Sequence, residues 1–147
     1  MPQIDAHTLE RLYSRDIIDE RLVALPKVKS ACLKALFKLG EESGEKSVLA
    51  ALEGDDIRSR VFAIEAIEYA SRKDLLKRFL PLLEDKRDAM PGLESSPGGT
   101  NYLKVRDLAT NAIARMTGAE FSFKIQNLFS YTDAQINEVK VFLREYQ

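Results

Sequence analysis

The chain has no tryptophan, one cysteine (Cys32) and one histidine (His7). A lone cysteine excludes an internal disulfide, and one cysteine with one histidine excludes a Cys/His zinc site built within the chain. No apolar run approaches the roughly 20 residues that a membrane helix needs. The opening residues lack the basic-then-apolar pattern of a signal peptide. Charge of one sign is also missing in bulk: the formal net charge is -1 and the pI about 5.9. No global field therefore draws the chain onto nucleic acid or anionic lipid. These absences point to a cytoplasmic protein with no membrane contact. Phosphate-loop, Walker and Gly-x-Ser-x-Gly patterns are likewise missing, and Gly98 and Gly99 follow no predicted strand.

What the 147 residues do carry is 45% hydrophobic content and 31% charged content, enough for one domain with one core. The apolar residues recur at helical spacing along most of the chain. A first helix opens near Asp5 and carries Leu9, Leu12, Tyr13, Ile17, Ile18, Leu22 and Leu25, either as one helix or as two broken at Ser14, Arg15 and Asp16, with Pro26 ending it. A second is predicted over 27–39, with Gly40 as its left-handed stop. A short helix over 46–53 ends at Gly54. A central helix follows, capped by Asp55 or Asp56, and its apolar residues from Ile57 to Tyr69 cover more than one face. Ser71, Arg72, Lys73 and Asp74 resemble a capping box for a helix over 72–85, which Pro81 should kink. Residues 86–100, with two prolines and three glycines, form a long loop. A helix over 103–117 closes on Gly118. Phe121, Phe123 and Ile125 then predict an extended stretch pinned by aromatics. Thr132 and Gln135 box the start of a last helix over 132–146. No strand pairing is compelling, so the class is all-α.

Three of these helices share an internal pattern: a basic residue, then two small residues three apart, then an aliphatic. They read Lys29 with Cys32, Ala35 and Leu36; Arg60 with Ala63, Ala66 and Ile67; and Arg106 with Ala109, Ala112 and Ile113. The interval between the second and third copies exceeds the first by about the length of the 86–100 loop. Stacking is what would bury a core in such an array. The segment LPLLED, followed after the insertion by KVRDLATNAIARMTG and the tail MTGAEF, resembles the short HEAT-like repeats of bacterial proteins. The resemblance covers residues 48–121, and the first copy departs from it at Lys29 and Cys32. It implies a helical-repeat solenoid of about seven helices in a single domain, with repeat units near 15–40, 45–70 and 71–118 and a capping helix over 132–146. It also implies that the helices at 46–53 and 72–85 line a concave surface. At Arg60 and Arg106 it implies pairing with acids near the preceding turn, such as Asp55, Asp56 or Asp85.

Catalytic, cofactor and metal residues are not indicated. Cys32 has no motif-borne base, and the carboxylates Glu41, Glu42, Glu45, Glu53, Asp55 and Asp56 match no calcium loop and read as a solvated rim. The expected function is non-enzymatic binding of another protein, through the concave surface and the loop over 86–102. An immunity protein that neutralises a toxin and an assembly adaptor are examples of that class. The candidate contact residues are Lys73, Lys77, Glu84, Arg87, Asp88, Met90, Leu93 and Tyr102. An alternative from the resembled superfamily is an enzyme acting on nucleic acid or pigment, like its DNA glycosylases or phycobilin lyases. The negative charge and the missing tryptophan count against the glycosylase.

Overall fold

The computed structural model describes residues 26–89, 103–127 and 129–147. The first predicted helix, His7, Met90, Leu93 and Tyr102 lie outside the described residues. Among the described residues five α-helices are present: α1 (Pro26–Lys38), α2 (Glu42–Glu53), α3 (Ile57–Tyr69), α4 (Val105–Thr117) and α5 (Asp133–Glu145). Two 3-10 helices, η1 (Lys73–Phe79) and η2 (Pro81–Glu84), lie between α3 and α4. Among the described residues there is no strand, and Asp88 and Lys104 form an isolated antiparallel bridge. The all-α class therefore holds for these residues. None of their helices is long and apolar enough to cross a membrane.

Local chemistry accounts for most of the boundaries. Pro26 starts α1, where its fixed φ suits the first helical position and its missing N–H costs nothing. Gly40 stops α1 at φ +78°, and the N–H of Glu41 reaches back to the Leu36 carbonyl at 3.0 Å. The Asp56 carboxylate caps α3, accepting the Ser59 N–H and hydroxyl at 2.9 Å each. Gly118 closes α4 at φ +68°. Thr132 and Gln135 form the reciprocal box of α5, with bonds of 2.9 and 3.2 Å.

The segment over 72–85 differs from expectation. It is two 3-10 helices instead of one kinked α-helix, and the capping box at Ser71 is not made. Ser71 instead takes a left-handed φ of 52°, and the Asp74 carboxylate is held by the Arg72 guanidinium at 2.8 and 2.9 Å. The chain winds on three-residue bonds, Leu80 N–H to the Lys77 carbonyl and Leu83 N–H to the Leu80 carbonyl. Pro81, which has no N–H, sits between them. This tight winding still turns Leu75, Leu76, Phe79, Leu82 and Leu83 into the core.

The main packing pairs are α1 on α2, α2 on α3, α3 on α4 and α4 on η2, while α5 lies more lightly against α4 and η1. The small residues of the repeated pattern, Ala63, Ala66, Ala109 and Ala112, are fully buried. In the first copy Cys32 is only partly covered, not buried as its spacing suggests, and burial still pushes its thiol pKa upward. The described residues between α4 and α5 form neither helix nor strand, only bends and irregular chain, where an extended stretch is predicted, and their aromatic rings do pack together. Phe121 stacks on Phe123 with ring centres 5.3 Å apart and meets Phe142 of α5 edge-on at 5.5 Å. Phe142 in turn contacts Tyr146 at 5.7 Å, and Phe123 contacts Tyr131 at 5.2 Å.

Gly44, in the first turn of α2, lies hard against the end of α1. A Cβ there would fall 2.4 Å from the Phe37 backbone nitrogen and 2.7 Å from the Leu36 carbonyl carbon. Backbone cannot yield as a side-chain tip can, so overpacking outweighs the better helix propensity of alanine. Gly44→Ala is expected to lower the unfolding free energy by about 1–3 kcal/mol, read from urea midpoints at unchanged m-value.

Candidate partner-binding surface

The described end of the loop region is built on one carboxylate. Asp85 follows η2 and is only 7% exposed. Its side chain accepts the Arg60 Nη1 at 2.8 Å, the Arg87 Nε at 2.9 Å, the Arg87 Nη2 at 2.7 Å and the Arg87 backbone N–H at 3.1 Å. Its backbone carbonyl takes the Arg106 N–H at 3.0 Å. The bonds from Arg87, with those from Arg60, outweigh burial and hold the Asp85 pKa at about 2, well below the usual carboxylate range. The same contact pushes the Arg87 pKa upward. Arg60 also donates from Nε to the Gly54 carbonyl at 2.8 Å, so one guanidinium joins the end of α2 to the end of η2.

Arg106 repeats the device one unit later, but with different partners from those expected. Its guanidinium meets the Asp133 carboxylate at 2.7 Å and the Tyr131 carbonyl at 3.1 Å, beyond its own helix instead of before it. Beside it, the fully buried Asp107 carboxylate accepts the Lys104 N–H at 2.7 Å and the Tyr131 N–H at 2.9 Å. The Tyr131 hydroxyl donates to Asn111 at 2.6 Å. Asp107, Asn111 and Tyr131 were not singled out from sequence, although an acid in the third position of α4 is a legible capping signal.

The predicted contact residues fall into three groups. Arg87 and Asp88 belong to a stem: Asp88 pairs with the Lys104 ammonium, the Ala89 N–H reaches the Leu103 carbonyl at 2.9 Å, and the Val105 N–H reaches the Arg87 carbonyl at 3.0 Å. The loop of 86–100 thus begins with folded residues. Lys73 and Lys77 of η1 are exposed and border one hollow of about 280 Å³ with Asp74, Tyr146 and Gln147. Lys77 also borders a second hollow of about 620 Å³, formed with Leu52, Glu53, Arg60, Arg78, Leu80 and Pro81. Glu84 of η2 is exposed and pairs with Lys140 of α5, whose ammonium holds its pKa down.

The acidic rim is largely paired. Glu45 takes the Arg72 guanidinium at 2.9 Å, Glu53 takes Arg78 at 2.8 Å, and Glu42 takes Lys46 at 2.8 Å. Among the described residues no group of three or more His, Cys, Asp or Glu side chains could hold a metal ion. No protein-family model matches the chain, and no curated protein or solved structure is significantly similar to it.

Replacing the hub tests its weight. Asp85→Asn takes its closest charge partner from the half-buried Arg60 guanidinium, which keeps only Asp55 at 3.7 Å, and we expect a loss of about 2–4 kcal/mol at pH 7. The pH dependence has a definite sign. A carboxyl whose folded pKa is depressed stabilises the fold above its unfolded pKa, and that contribution is lost as pH falls towards about 2. The gap between wild type and Asp85→Asn should therefore narrow by about 2 kcal/mol on acidification below the ordinary aspartate pKa, measured by urea unfolding across that range.

Proposed function

We propose that the protein is a non-enzymatic binding module of HEAT-like helical-repeat build that engages a partner protein through the η1–η2 surface and the segment after Ala89. The observation that carries this reading is the stem. Two arginines and a buried carboxylate fix one end of the 90–102 segment, and hydrogen bonds to Leu103 and Lys104 fix the other. Long insertions in compact domains are commonly functional, and one displayed from a rigid base suits recognition better than packing. The paired small residues in α3 and α4, and the pairing of Arg60 with Asp85 that the resemblance implies, support the repeat reading.

The test is capture of partners from a lysate of the native host, read by quantitative mass spectrometry. The control replaces residues 90–102 by an Asn-Gly turn, which joins Ala89 to Leu103 in the geometry of a two-residue hairpin. We expect the control to keep its helical circular dichroism and melting temperature while losing a stoichiometric protein partner. Equal recovery of every protein by both chains would overturn the loop's part in binding. A chain that captures no protein would overturn the module itself.

A further inference from the structure

We propose that the paired hollows on either side of Lys77 form a docking groove for an acidic segment of the partner protein, one in which carboxylates alternate with leucine-sized side chains. This deepens the protein-binding reading and rests on it. Together the two hollows are lined by the cations Lys73, Lys77, Arg60 and Arg78 and by the carboxylates Asp74 and Glu53. Both carboxylates are already engaged, Asp74 by Arg72 at 2.8 Å and Glu53 by Arg78 at 2.8 Å. Arg60 is spent on Asp85. Among the described residues Lys73 and Lys77 have no ion-pair partner, so the groove keeps a local positive excess in a chain whose net charge is -1.

The walls are not purely ionic. Tyr146 closes the smaller hollow, where a ring beside two ammonium groups excludes water from an incoming carboxylate. Leu52, Leu80 and Pro81 give the larger hollow an apolar floor with room for a branched aliphatic side chain. An acid over Lys73 and Lys77 followed by an apolar residue over Leu80 and Pro81 satisfies both. Nucleic acid fits less well, since one partly buried ring and two unpaired cations make neither a stacking platform nor a phosphate track.

The probe is a fluorescein-labelled peptide of alternating glutamate and leucine, titrated into the full-length protein by fluorescence anisotropy. Its glutamine–leucine counterpart and a single-stranded oligonucleotide serve as comparisons. We expect the acidic peptide to bind, with affinity falling as salt rises, and the glutamine peptide to bind at least about tenfold more weakly. Lys73→Glu/Lys77→Glu should lose about tenfold or more in affinity, whereas Lys124→Glu, an exposed cation outside the groove, should stay within about twofold. Circular dichroism establishes that both variants are folded. The assignment is overturned if the acidic peptide fails to bind, if the two peptides bind alike, if the double variant binds like Lys124→Glu, or if the oligonucleotide binds more tightly through the same lysines. A host protein captured equally by wild type and by Lys73→Glu/Lys77→Glu would sink the groove while leaving the protein-binding reading standing.

Discussion

A single buried carboxylate holds together segments that are distant in sequence. Asp85 sits where η2 ends, and two guanidinium groups converge on it from opposite sides of the chain, Arg60 from α3 and Arg87 from the stem. A charge of this kind is costly to bury unless its acceptor sites are filled, and here four donors fill them. The fixed directions of these hydrogen bonds hold the end of η2 in register with α3 and the stem. Polar satisfaction, more than burial of area, sets where η2 stops and where α4 begins, because the Asp85 carbonyl also receives the first-turn N–H of Arg106.

The same logic recurs at the next step along the chain. Arg60 and Arg106 occupy equivalent places before a pair of buried alanines. Each reaches forward, Arg60 to a carboxylate 25 residues on and Arg106 to a carbonyl 25 residues on and a carboxylate 27 on. Small residues bring the helix axes close, which leaves little room for lateral adjustment, and an arginine then fixes the longitudinal position. In α1 the corresponding face carries the partly exposed Cys32 and Ala35, so that helix meets its neighbours through Leu33, Leu36 and Phe37 instead. Gly44 of α2 lies hard against its backbone at Leu36 and Phe37.

Much of this was legible in the residues. Gly40, Asp56, Gly118 and Thr132 each announce a helix boundary through chemistry that acts within a few positions, and each boundary lies where that chemistry puts it. The twin 3-10 helices were not legible, because Ser71 to Asp74 carries a capping signature whose parts are engaged elsewhere: the Ser71 N–H reaches the Glu68 carbonyl at 3.0 Å, and the Asp74 carboxylate holds the Arg72 guanidinium. Nor does anything local mark Asp85 as buried, since its partner Arg60 lies 25 residues earlier. Arg87 reads as a surface cation and is held instead by that acid. The convergence of Lys73 and Lys77 with Tyr146 depends on how α5 returns to η1, two elements far apart in sequence.

The hydrogen-bonded stem at Ala89 and Leu103 has an evolutionary consequence. Where two chain ends are pinned side by side, the entropic cost of closing the intervening segment grows only with the logarithm of its length, about 0.6 kcal/mol for each doubling. Insertions and deletions between the pinned ends are then nearly neutral for the fold, while substitutions at Asp85 or Arg60 are not. Lineages can rewrite that segment, in length and in composition, and keep the same scaffold beneath it.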